Sequence, residues 1–358
     1  MVKGEDMLAA RLHQYDPEMR GPDFLVLEQV PDPAIQEPDD VLVRIDGAGV
    51  CRTDLHIIEG LWRERSGVVL PYILGHENAG YVEAVGSAVR SVRPGDPVIV
   101  HPLITDGLCP ACRRGDDMHC EHSQFPGISR DGGFAEYLLT KERSVVRLPD
   151  NLQPRAVAPH ADAGLTAYHA AKRAARRLAP GQTAVIIGFG GLGHIAFQVL
   201  RLLSPVRIIV VDRSDVALGL ARELGAEHTV KAGDDDPVEH VRALTDGHGA
   251  EVVLDFVGEG EAIAQGLAMT RRAGAYFVIG YGGTVQIPAI ELIAEEKAII
   301  GNLVGTYSEL LELITLAAEG KIQLTVSYYP LEQVNLALRD LLAGRVKGRA
   351  VLVPGKSG

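Results

Sequence analysis

The chain has four cysteines, and their spacing indicates metal coordination of two kinds. Three of them lie in the segment Asp106-x₂-Cys109-x₂-Cys112-x₇-Cys120. Three thiolates and one carboxylate give a zinc ion a closed tetrahedral shell, which stabilises a fold and leaves no position for substrate. For Asp106 an alternative stays open, because a carboxylate at this place is also typical of a turn, with water completing the shell.

The fourth cysteine predicts a site of a different character. Cys51 and His76 supply one thiolate and one imidazole from separate loops. Catalytic zinc sites use three protein ligands and keep the fourth position open. The third ligand must come from elsewhere in the sequence, and the spacing alone does not identify it. Two disulfides in a secreted protein are the alternative, but three clustered thiols fit metal-bound thiolates in a reducing, cytoplasmic compartment better.

A glycine-rich segment follows an apolar, strand-like run at residues 184–187 and precedes a helical pattern at 194–203. The first glycine of such a motif permits a tight turn, the second lets the backbone approach a pyrophosphate, and the third lets the helix pack on the strand. Amides at the helix N-terminus then face the phosphates. We therefore predict a dinucleotide site that contains Gly188, Gly190, Gly191, Leu192 and Gly193.

Asp212 indicates which dinucleotide is bound. It ends the second strand-like run, about 20 residues after the last glycine, where a carboxylate accepts hydrogen bonds from the ribose hydroxyls. The same charge repels a 2′-phosphate, which favours NAD over NADP. Arg213 weakens this preference for NAD, because its guanidinium offsets part of the repulsion between Asp212 and a 2′-phosphate. A turn or helix-capping role is the structural alternative for Asp212.

The pattern along the chain predicts how these residues are positioned. Short β-rich runs punctuated by Gly, Pro and Asp dominate the first third and predict a partly open β-barrel. Beyond about residue 155, buried apolar strands alternate with helices, which is typical of a parallel, doubly wound α/β sheet. We expect a catalytic domain over residues 1–160, a dinucleotide-binding domain over 161–305, and a segment 306–358 that returns to the first domain, with a cleft between the domains.

The composition excludes several classes of protein. Hydrophobic residues make up 46% and charged residues 23%, an ordinary globular balance. The net charge of −12 argues against a nucleic-acid or anionic-membrane partner. The N-terminus lacks the apolar core of a signal peptide, and no apolar run approaches the roughly 18 residues of a membrane helix. A small-molecule ligand is the expected partner.

Taken together, these motifs resemble the zinc-dependent medium-chain alcohol dehydrogenases over nearly the whole chain, in particular an archaeal and actinobacterial NAD-dependent branch. The resemblance implies a GroES-like β-rich catalytic domain beside a Rossmann domain. It also implies two zinc ions per chain, one catalytic and one structural, and a homo-oligomer that is a tetramer rather than a dimer. The segments that carry the resemblance are residues 51–56, 75–80, 106–120, 162–166, 188–193 and 347–349.

The same resemblance supplies the missing metal ligand. Asp162 stands where many relatives have cysteine, so the implied catalytic set is Cys51, His76 and Asp162. A carboxylate keeps the anionic charge but is a harder ligand than thiolate, and an N-cap role is its alternative. Asp106 likewise replaces a fourth cysteine of many relatives. Glu77 is, in the family, a close neighbour of the metal and an occasional ligand.

Roles for further residues follow from the resemblance alone. Thr53 and His56 match a proton relay that ends at an imidazole near solvent, although a surface histidine is the alternative for His56. Asp54 matches the partner that orients the histidine ligand. The remaining histidines, His122 among them, are interpreted as structural or surface residues. Residues implied to contact the cofactor are Arg52, Thr166, Ile279 and Arg349.

The predicted reaction is the interconversion of primary or secondary alcohols with aldehydes or ketones. Zinc bound to the alcohol oxygen lowers its pKa, so that alkoxide forms near neutral pH, and the nicotinamide accepts the hydride. A polyol or sugar dehydrogenase of the same superfamily stays open as an alternative. So does a zinc- and nucleotide-binding protein without turnover, although a complete ligand set with a relay hydroxyl argues against it.

Overall fold

The computed structural model describes residues 6–233 and 236–355. The chain divides into two compact units. The first unit comprises the described residues of Met1–Ala163, Thr306–Gly320 and Leu324–Gly358. The second comprises those of Gly164–Gly305 and Lys321–Gln323. Each unit has its own sheet structure. Both predicted metal sites lie in the first unit, and the predicted dinucleotide motif lies in the second.

Strands and helices are numbered here in chain order. The strands are β1 (Asp6–Leu12), β2 (Val26–Pro31), β3 (Asp40–Val50), β4 (Tyr72–Ile73), β5 (Glu77–Val85), β6 (Pro97–Val100), β7 (Tyr137–Lys141), β8 (Val145–Arg147), β9 (Thr183–Ile187), β10 (Arg207–Asp212), β11 (His228–Lys231), β12 (Ala250–Asp255), β13 (Thr270–Val278), β14 (Ala298–Gly301), β15 (Val326–Pro330) and β16 (Arg349–Val353). The helices are α1 (Arg52–Glu59), α2 (Arg63–Ser66), α3 (Pro110–Arg114), α4 (Pro154–Val157), α5 (Ala163–Ala175), α6 (Gly193–Leu203), α7 (Asp215–Glu223), α8 (Pro237–Leu244), α9 (Ala262–Met269), α10 (Ala289–Glu295), α11 (Tyr307–Ala318) and α12 (Val334–Leu342). Short 3₁₀ turns cover Asp117–His119, Glu142–Ser144, Ala158–Ala161 and Leu331–Gln333.

The first unit is built on a seven-stranded sheet in the order β15-β16-β3-β5-β6-β8, with β7 paired to β3. A smaller sheet has the order β2-β1-β4. The C-terminal strand β16 pairs antiparallel with β3, placing Ala350 opposite Val50. This pairing brings Arg349–Val353 and Asp40–Val50 into one sheet.

The second unit contains one six-stranded sheet in the order β11-β10-β9-β12-β13-β14, and every pairing in it is parallel. In terms of the strands of this unit, the order is 3-2-1-4-5-6, as in dinucleotide-binding Rossmann domains. Strand β9 is buried at all five positions, as expected for a central strand covered on both faces. The predicted doubly wound parallel sheet is confirmed.

Several elements gave no clear pattern in the sequence. Strands β2 and β15 have half-buried or exposed residues at every position, so neither shows a continuous apolar run. Strand β4 has only two residues. Strand β4 pairs with β1, about 60 residues away along the chain, and local periodicity carries no information about such a pairing. Among the described helices, none is both long enough and apolar enough to cross a lipid bilayer.

Candidate functional site

Cys51, His76, Glu77 and Asp162 meet in the first unit. One potential ligand atom of each lies within 4.8 Å of the corresponding atom of every other. Cys51 is 6% exposed, His76 1%, Glu77 0% and Asp162 9%. A thiol, an imidazole and two carboxyl groups are thus gathered in a site that is almost closed to water. The implied ligand set of Cys51, His76 and Asp162 is brought together here from three separate segments.

Each ligand is positioned by the end of a regular element. Cys51 joins β3 to α1 as the residue that caps the helix N-terminus. Glu77 begins β5 directly after His76 and pairs with Gly49 of β3. A Cβ atom at Gly49 would overlap the Glu77 carboxylate, so glycine is required for this close approach. Asp162 lies between a 3₁₀ turn and α5, rather than within either element.

The surroundings of His76 fit a bound cation. Asp54 accepts a hydrogen bond from the Cys51 amide at 2.7 Å, and its other oxygen lies 3.4 Å from His76 Nδ1. His76 Nε2 lies 3.5 Å from Asp162 Oδ2. Neither ring nitrogen makes a hydrogen bond with the described residues, although the ring is buried. A metal-bound imidazole uses one ring nitrogen as ligand and turns the other toward a carboxylate, so Nε2 beside Asp162 is the nitrogen placed to ligate and Nδ1 the one that faces Asp54.

The local field is also negative. Burial by itself lowers the pKa of His76, but Asp54 and Cys51 raise it well above the ordinary value overall. Negative groups around a buried imidazole stabilise positive charge there, whether a proton or a metal ion supplies it. Thiolate, imidazole and carboxylate donors together suit zinc. The donor set and its electrostatics therefore fit the predicted catalytic zinc.

Glu77 has a separate partner in Arg349, the first residue of β16. The guanidinium of Arg349 donates to both carboxylate oxygens, with Nε 3.0 Å from Oε2 and a shorter bond from Nη2 to Oε1. Arg349 is only 4% exposed. Burial raises the pKa of Glu77, whereas Arg349 opposes that shift. The structure thus places Arg349 in a buried ion pair, and its role as a pyrophosphate ligand stays a prediction.

The residues predicted for a proton relay lie on α1. Arg52 is exposed and Thr53 is half-buried. His56 is 3% exposed, because α1 is buried without interruption from Asp54 to Ile58. The expectation that this imidazole lies near solvent is therefore wrong for the described chain. A relay role for Thr53 and His56 stays a prediction.

A second metal-type cluster is formed by Asp106, Cys109, Cys112 and Cys120. Potential ligand atoms of these four residues also lie within 4.8 Å of one another. The three cysteines are free thiols between 6% and 7% exposed. The Cys112 amide lowers the pKa of Cys109, whereas burial raises that of Cys112 to about 12. Three free thiols held this closely fit the predicted closed zinc site, because a metal ion stabilises the thiolate forms.

Asp106 is held in place by contacts on both of its oxygens. Oδ1 accepts hydrogen bonds from the amides of Leu108 and Cys109 at 2.8 and 3.0 Å. Oδ2 lies 2.6 Å from Nδ1 of His122. The Cys109 amide and His122 hold the pKa of Asp106 far below its usual range. Asp106 therefore has the hydrogen bonds of a turn residue, and its negative charge and closeness to the three cysteines also fit a metal ligand.

His122 is a residue whose role the sequence did not reveal. The sequence predicts a structural or surface histidine here, whereas the structure makes it the direct partner of a candidate metal ligand. Asp106 raises its pKa. Imidazole and carboxylate pairs next to metals orient the ligand carboxylate. The only sequence signal was position, since His122 lies two residues after Cys120.

The glycine-rich turn of the second unit has the geometry that phosphate binding requires. Gly188 has φ +87°, a left-handed conformation that favours glycine. A Cβ at Gly193 would overlap the carbonyl oxygen of Gly188, whereas a Cβ at Gly190 would meet open space. Helix α6 begins at Gly193 and runs for eleven residues. The turn thus combines close packing on one side with an open backbone on the other.

Asp212 ends β10 beside this turn. Its Oδ2 accepts a hydrogen bond from the Phe189 amide at 2.6 Å, and Oδ1 accepts one from Ser214 at 2.8 Å. A cavity of about 260 Å³ opens here, and Gly188, Asp212, Arg213 and Val257 are among its lining residues. The carboxylate is fixed at the mouth of a cavity at the carboxyl ends of the strands, where such sheets bind nucleotides.

Val257, one of the lining residues of this cavity, lies in a loop that is held by a buried carboxylate. Asp255 ends β12, and its Oδ1 accepts hydrogen bonds from the amides of Val257 and Gly258 at 2.8 and 3.0 Å. The hydroxyl of Tyr276 donates to Oδ2 at 2.6 Å. Both Asp255 and Tyr276 are 0% exposed. The pair shapes the loop after β12, and no pattern in the sequence predicts that these residues meet.

The other predicted cofactor residues are placed as follows. Arg213 is exposed, and Thr166 is half-buried on α5. Ile279 is 9% exposed directly after β13 and donates its amide to the Asp255 carbonyl at 3.0 Å. Gly191 and Leu192 lie half-buried in the glycine-rich turn. Their contacts with a cofactor stay predictions.

Comparison with known proteins identifies the family. Residues 37–150 match the alcohol dehydrogenase GroES-like domain, and residues 191–319 match the zinc-binding dehydrogenase domain. The NAD-dependent alcohol dehydrogenase of Sulfurisphaera tokodaii is 35% identical over 338 residues, which cover 92% of this chain and 96% of that protein. The D-arabinose 1-dehydrogenase (NADP(+)) of Saccharolobus solfataricus is 36% identical over 332 residues, or 91% and 94% of the two chains.

A solved structure extends this likeness to three dimensions. The crystal structure of the alcohol dehydrogenase from Aeropyrum pernix superimposes with a TM-score of 0.93 at 47% identity, over 97% of this chain and 100% of that one. The predicted GroES-like and Rossmann architecture is confirmed by these matches. The chain belongs to the zinc-dependent medium-chain alcohol dehydrogenases.

Proposed function

We propose that the protein is an NAD-dependent zinc alcohol dehydrogenase that interconverts primary or secondary alcohols with aldehydes or ketones. The observation that carries the proposal is the buried donor set of Cys51, His76 and Asp162, in which Nε2 of the imidazole faces the Asp162 carboxylate and has no hydrogen-bond partner among the described residues. Relatives that are named NAD-dependent alcohol dehydrogenases support it. Two zinc ions per chain are proposed, one in this set and one in the cluster of Asp106 and the three loop cysteines.

The chain's own residues account for the remaining steps. Cys51, His76 and Asp162 would hold the ion, and Asp54, 3.4 Å from His76, fixes the orientation of the ring. When bound, zinc supplies Lewis-acid polarisation of a substrate oxygen, and nicotinamide exchanges hydride. Thr53 and His56 are proposed to carry the proton from the substrate hydroxyl. Because the donors are almost fully buried, their charge acts with little screening by water.

Asp212 is proposed to select NAD. Both of its oxygens accept backbone hydrogen bonds, so the carboxylate is fixed toward the cavity and would meet a 2′-phosphate with like charge. Replacing Asp212 with Gly should weaken NAD⁺ binding and reduce discrimination against NADP⁺. Initial rates with the two cofactors measure this, and an unchanged preference contradicts the assignment.

A decisive experiment for the reaction is a screen of NADH absorbance over short, secondary, aromatic and polyol alcohols, with and without a chelator. Asp162→Ala should abolish turnover in a chain that stays folded. Asp150→Ala, a replacement at an exposed site of the same unit, is the matched control and should not change kcat. Unchanged kcat in Asp162→Ala would mean that the third ligand lies elsewhere.

A sugar or polyol dehydrogenase is the second candidate, because a relative at 36% identity is named D-arabinose 1-dehydrogenase (NADP(+)). The polyol arm of the same screen separates the two. Absence of turnover with every substrate would favour the third alternative, a binding protein without catalysis.

The assignment of residues 1–160, 161–305 and 306–358 to catalytic domain, cofactor domain and returning segment is proposed as well. A homo-oligomer, tetramer rather than dimer, is also proposed. Strand β14 is an edge of the parallel sheet, and Ile290 and Ile293 on nearby α10 are each 70% exposed. Light scattering of the purified protein tests the oligomer. The four free thiols support a reducing, cytoplasmic location.

A further inference from the structure

A second cavity of the parallel-sheet unit lies away from the dinucleotide site. It encloses about 330 Å³ at the amino-terminal edge of the sheet. Gly247 and His248 precede β12, Thr270 begins β13, and Lys297 directly precedes β14; all four line the cavity. Asp212 and the glycine-rich turn lie at the opposite, carboxyl edge. A six-residue strand such as β12 separates the two edges by roughly 17–20 Å.

The walls of this cavity are strongly basic. Arg242, Arg271, Arg272 and Lys297 line it together with a single carboxylate, that of Glu295. The whole chain carries a net charge of −12, so the local excess of cations runs against its overall charge. Glu295 offsets part of this charge, as does Glu251, which lies 3.1 Å from Arg271. The cations that remain in excess repel one another unless an anion lies between them. The cavity is therefore complementary to an anion that carries more than one negative charge.

Two of the cations, Lys297 and Arg242, are held in place by contacts with the fold. The side chain of Lys297 is only 10% exposed; its ammonium lies 2.5 Å from Glu295 and donates to the Leu267 carbonyl at 3.0 Å. Arg242 donates through Nη2 to the Ala268 carbonyl at 3.2 Å. The ammonium is therefore already in position, and an anionic ligand would share it with Glu295. This preorganisation reduces the entropic cost of binding.

The positive charge of these cations lowers the pKa of Glu295. Lys297 lowers its pKa most strongly, and Arg272 and Arg242 add to the effect. Three cations thus act on the Glu295 carboxylate. An oxyanion of a ligand near that carboxylate would be stabilised by the same three groups, and Glu295 would compete with it.

We propose that this cavity is a second, previously unassigned ligand site, which binds a diphosphate or polyphosphate group. Guanidinium groups match phosphate oxygens with paired N–H donors, and a lysine adds a point charge. The volume is within the range of small-molecule sites, about 300–1,000 Å³. The cavity is distinct from the dinucleotide site, so both are open to binding at once.

Calorimetric titration of the full-length protein with pyrophosphate tests the proposal. Saturating NADH is present throughout, so that the dinucleotide site does not take up the probe. We expect one saturable pyrophosphate site per chain, with affinity that falls steeply as NaCl is raised. Binding is read directly as heat, so the outcome does not depend on dehydrogenase activity.

Three variants determine where the probe binds. Arg242→Gln/Arg272→Gln should raise Kd at least ten-fold. The matched control removes the same charge outside the cavity, at the exposed pair Arg176→Gln/Arg177→Gln of the same unit, and should change Kd less than two-fold.

Glu295→Gln should act in the opposite direction and tighten binding several-fold, because the competing carboxylate is removed. A misfolded variant does not mimic that gain. No saturable heat in the presence of NADH, equal weakening by both double variants, or no gain from Glu295→Gln would each overturn the proposal.

Discussion

Replacing Arg349 with Met isolates the buried ion pair beside the candidate metal ligands. Methionine retains most of the side-chain volume but removes every N–H donor to Glu77, which is 0% exposed. Removing one partner of a buried ion pair costs about 3–5 kcal/mol, because the other charge stays buried without compensation. For a unit of about 200 residues, each kcal/mol lowers Tm by about 2–4 °C. The expected loss in Tm is therefore roughly 6–20 °C.

Differential scanning calorimetry of the metal-free protein measures this loss most cleanly. In the zinc-loaded protein the loss should be smaller, since a nearby cation partly compensates the Glu77 carboxylate. Arg345→Met is the matched control. Its side chain is 61% exposed, and it pairs with Asp340 on the surface, where ion pairs contribute about 0–1 kcal/mol.

The double variant Glu77→Leu/Arg349→Met provides the internal check. Replacing both members of a buried pair with apolar residues of similar volume is often neutral or stabilising. The double variant should therefore recover most of the Tm that Arg349→Met loses. A loss below about 3 °C in the single variant, or a double variant no more stable than the single, would refute the reasoning.

Three further predictions follow from the contacts described above. Tyr276→Phe leaves one oxygen of Asp255 buried without its donor, so it should lower the free energy of unfolding by about 1–3 kcal/mol and raise KM for NAD⁺ several-fold at constant kcat. The exposed control Tyr328→Phe should do neither, and an unchanged KM in Tyr276→Phe would contradict the prediction. Arg345 holds the pKa of Asp340 below its ordinary value, so the ionised carboxylate stabilises the fold above about pH 4, and this contribution disappears as the pH falls through the depressed pKa. Asp340→Asn should therefore have a lower Tm than the wild type at neutral pH and a similar Tm in acid. A Tm difference that grows on acidification would refute this. Chelation should make the three loop cysteines reactive to a thiol reagent, and added zinc should protect them again; equal reactivity in both states would remove the structural zinc.

Local patterns in the sequence determined the parts of this protein that depend on neighbouring residues. The cysteine spacing of residues 106–120 defines a loop short enough to enclose one ion, and its four groups do converge. The glycine-rich turn lies between an apolar strand and a helix, and alternation of buried strands with helices predicted the parallel sheet. These features are readable because turn geometry and hydrophobic periodicity act over a few residues.

Only the tertiary structure decided which distant groups meet. Spacing gave no third ligand for Cys51 and His76, and only family resemblance pointed to Asp162, which the fold then brings to them. Arg349 reaches Glu77 across 272 positions, through the pairing of β16 with β3. The burial of His56 and the pairing of His122 with Asp106 likewise depend on packing. Side-chain contacts of this kind arise from the way separate segments fold together, and the order of residues in any one segment does not encode them.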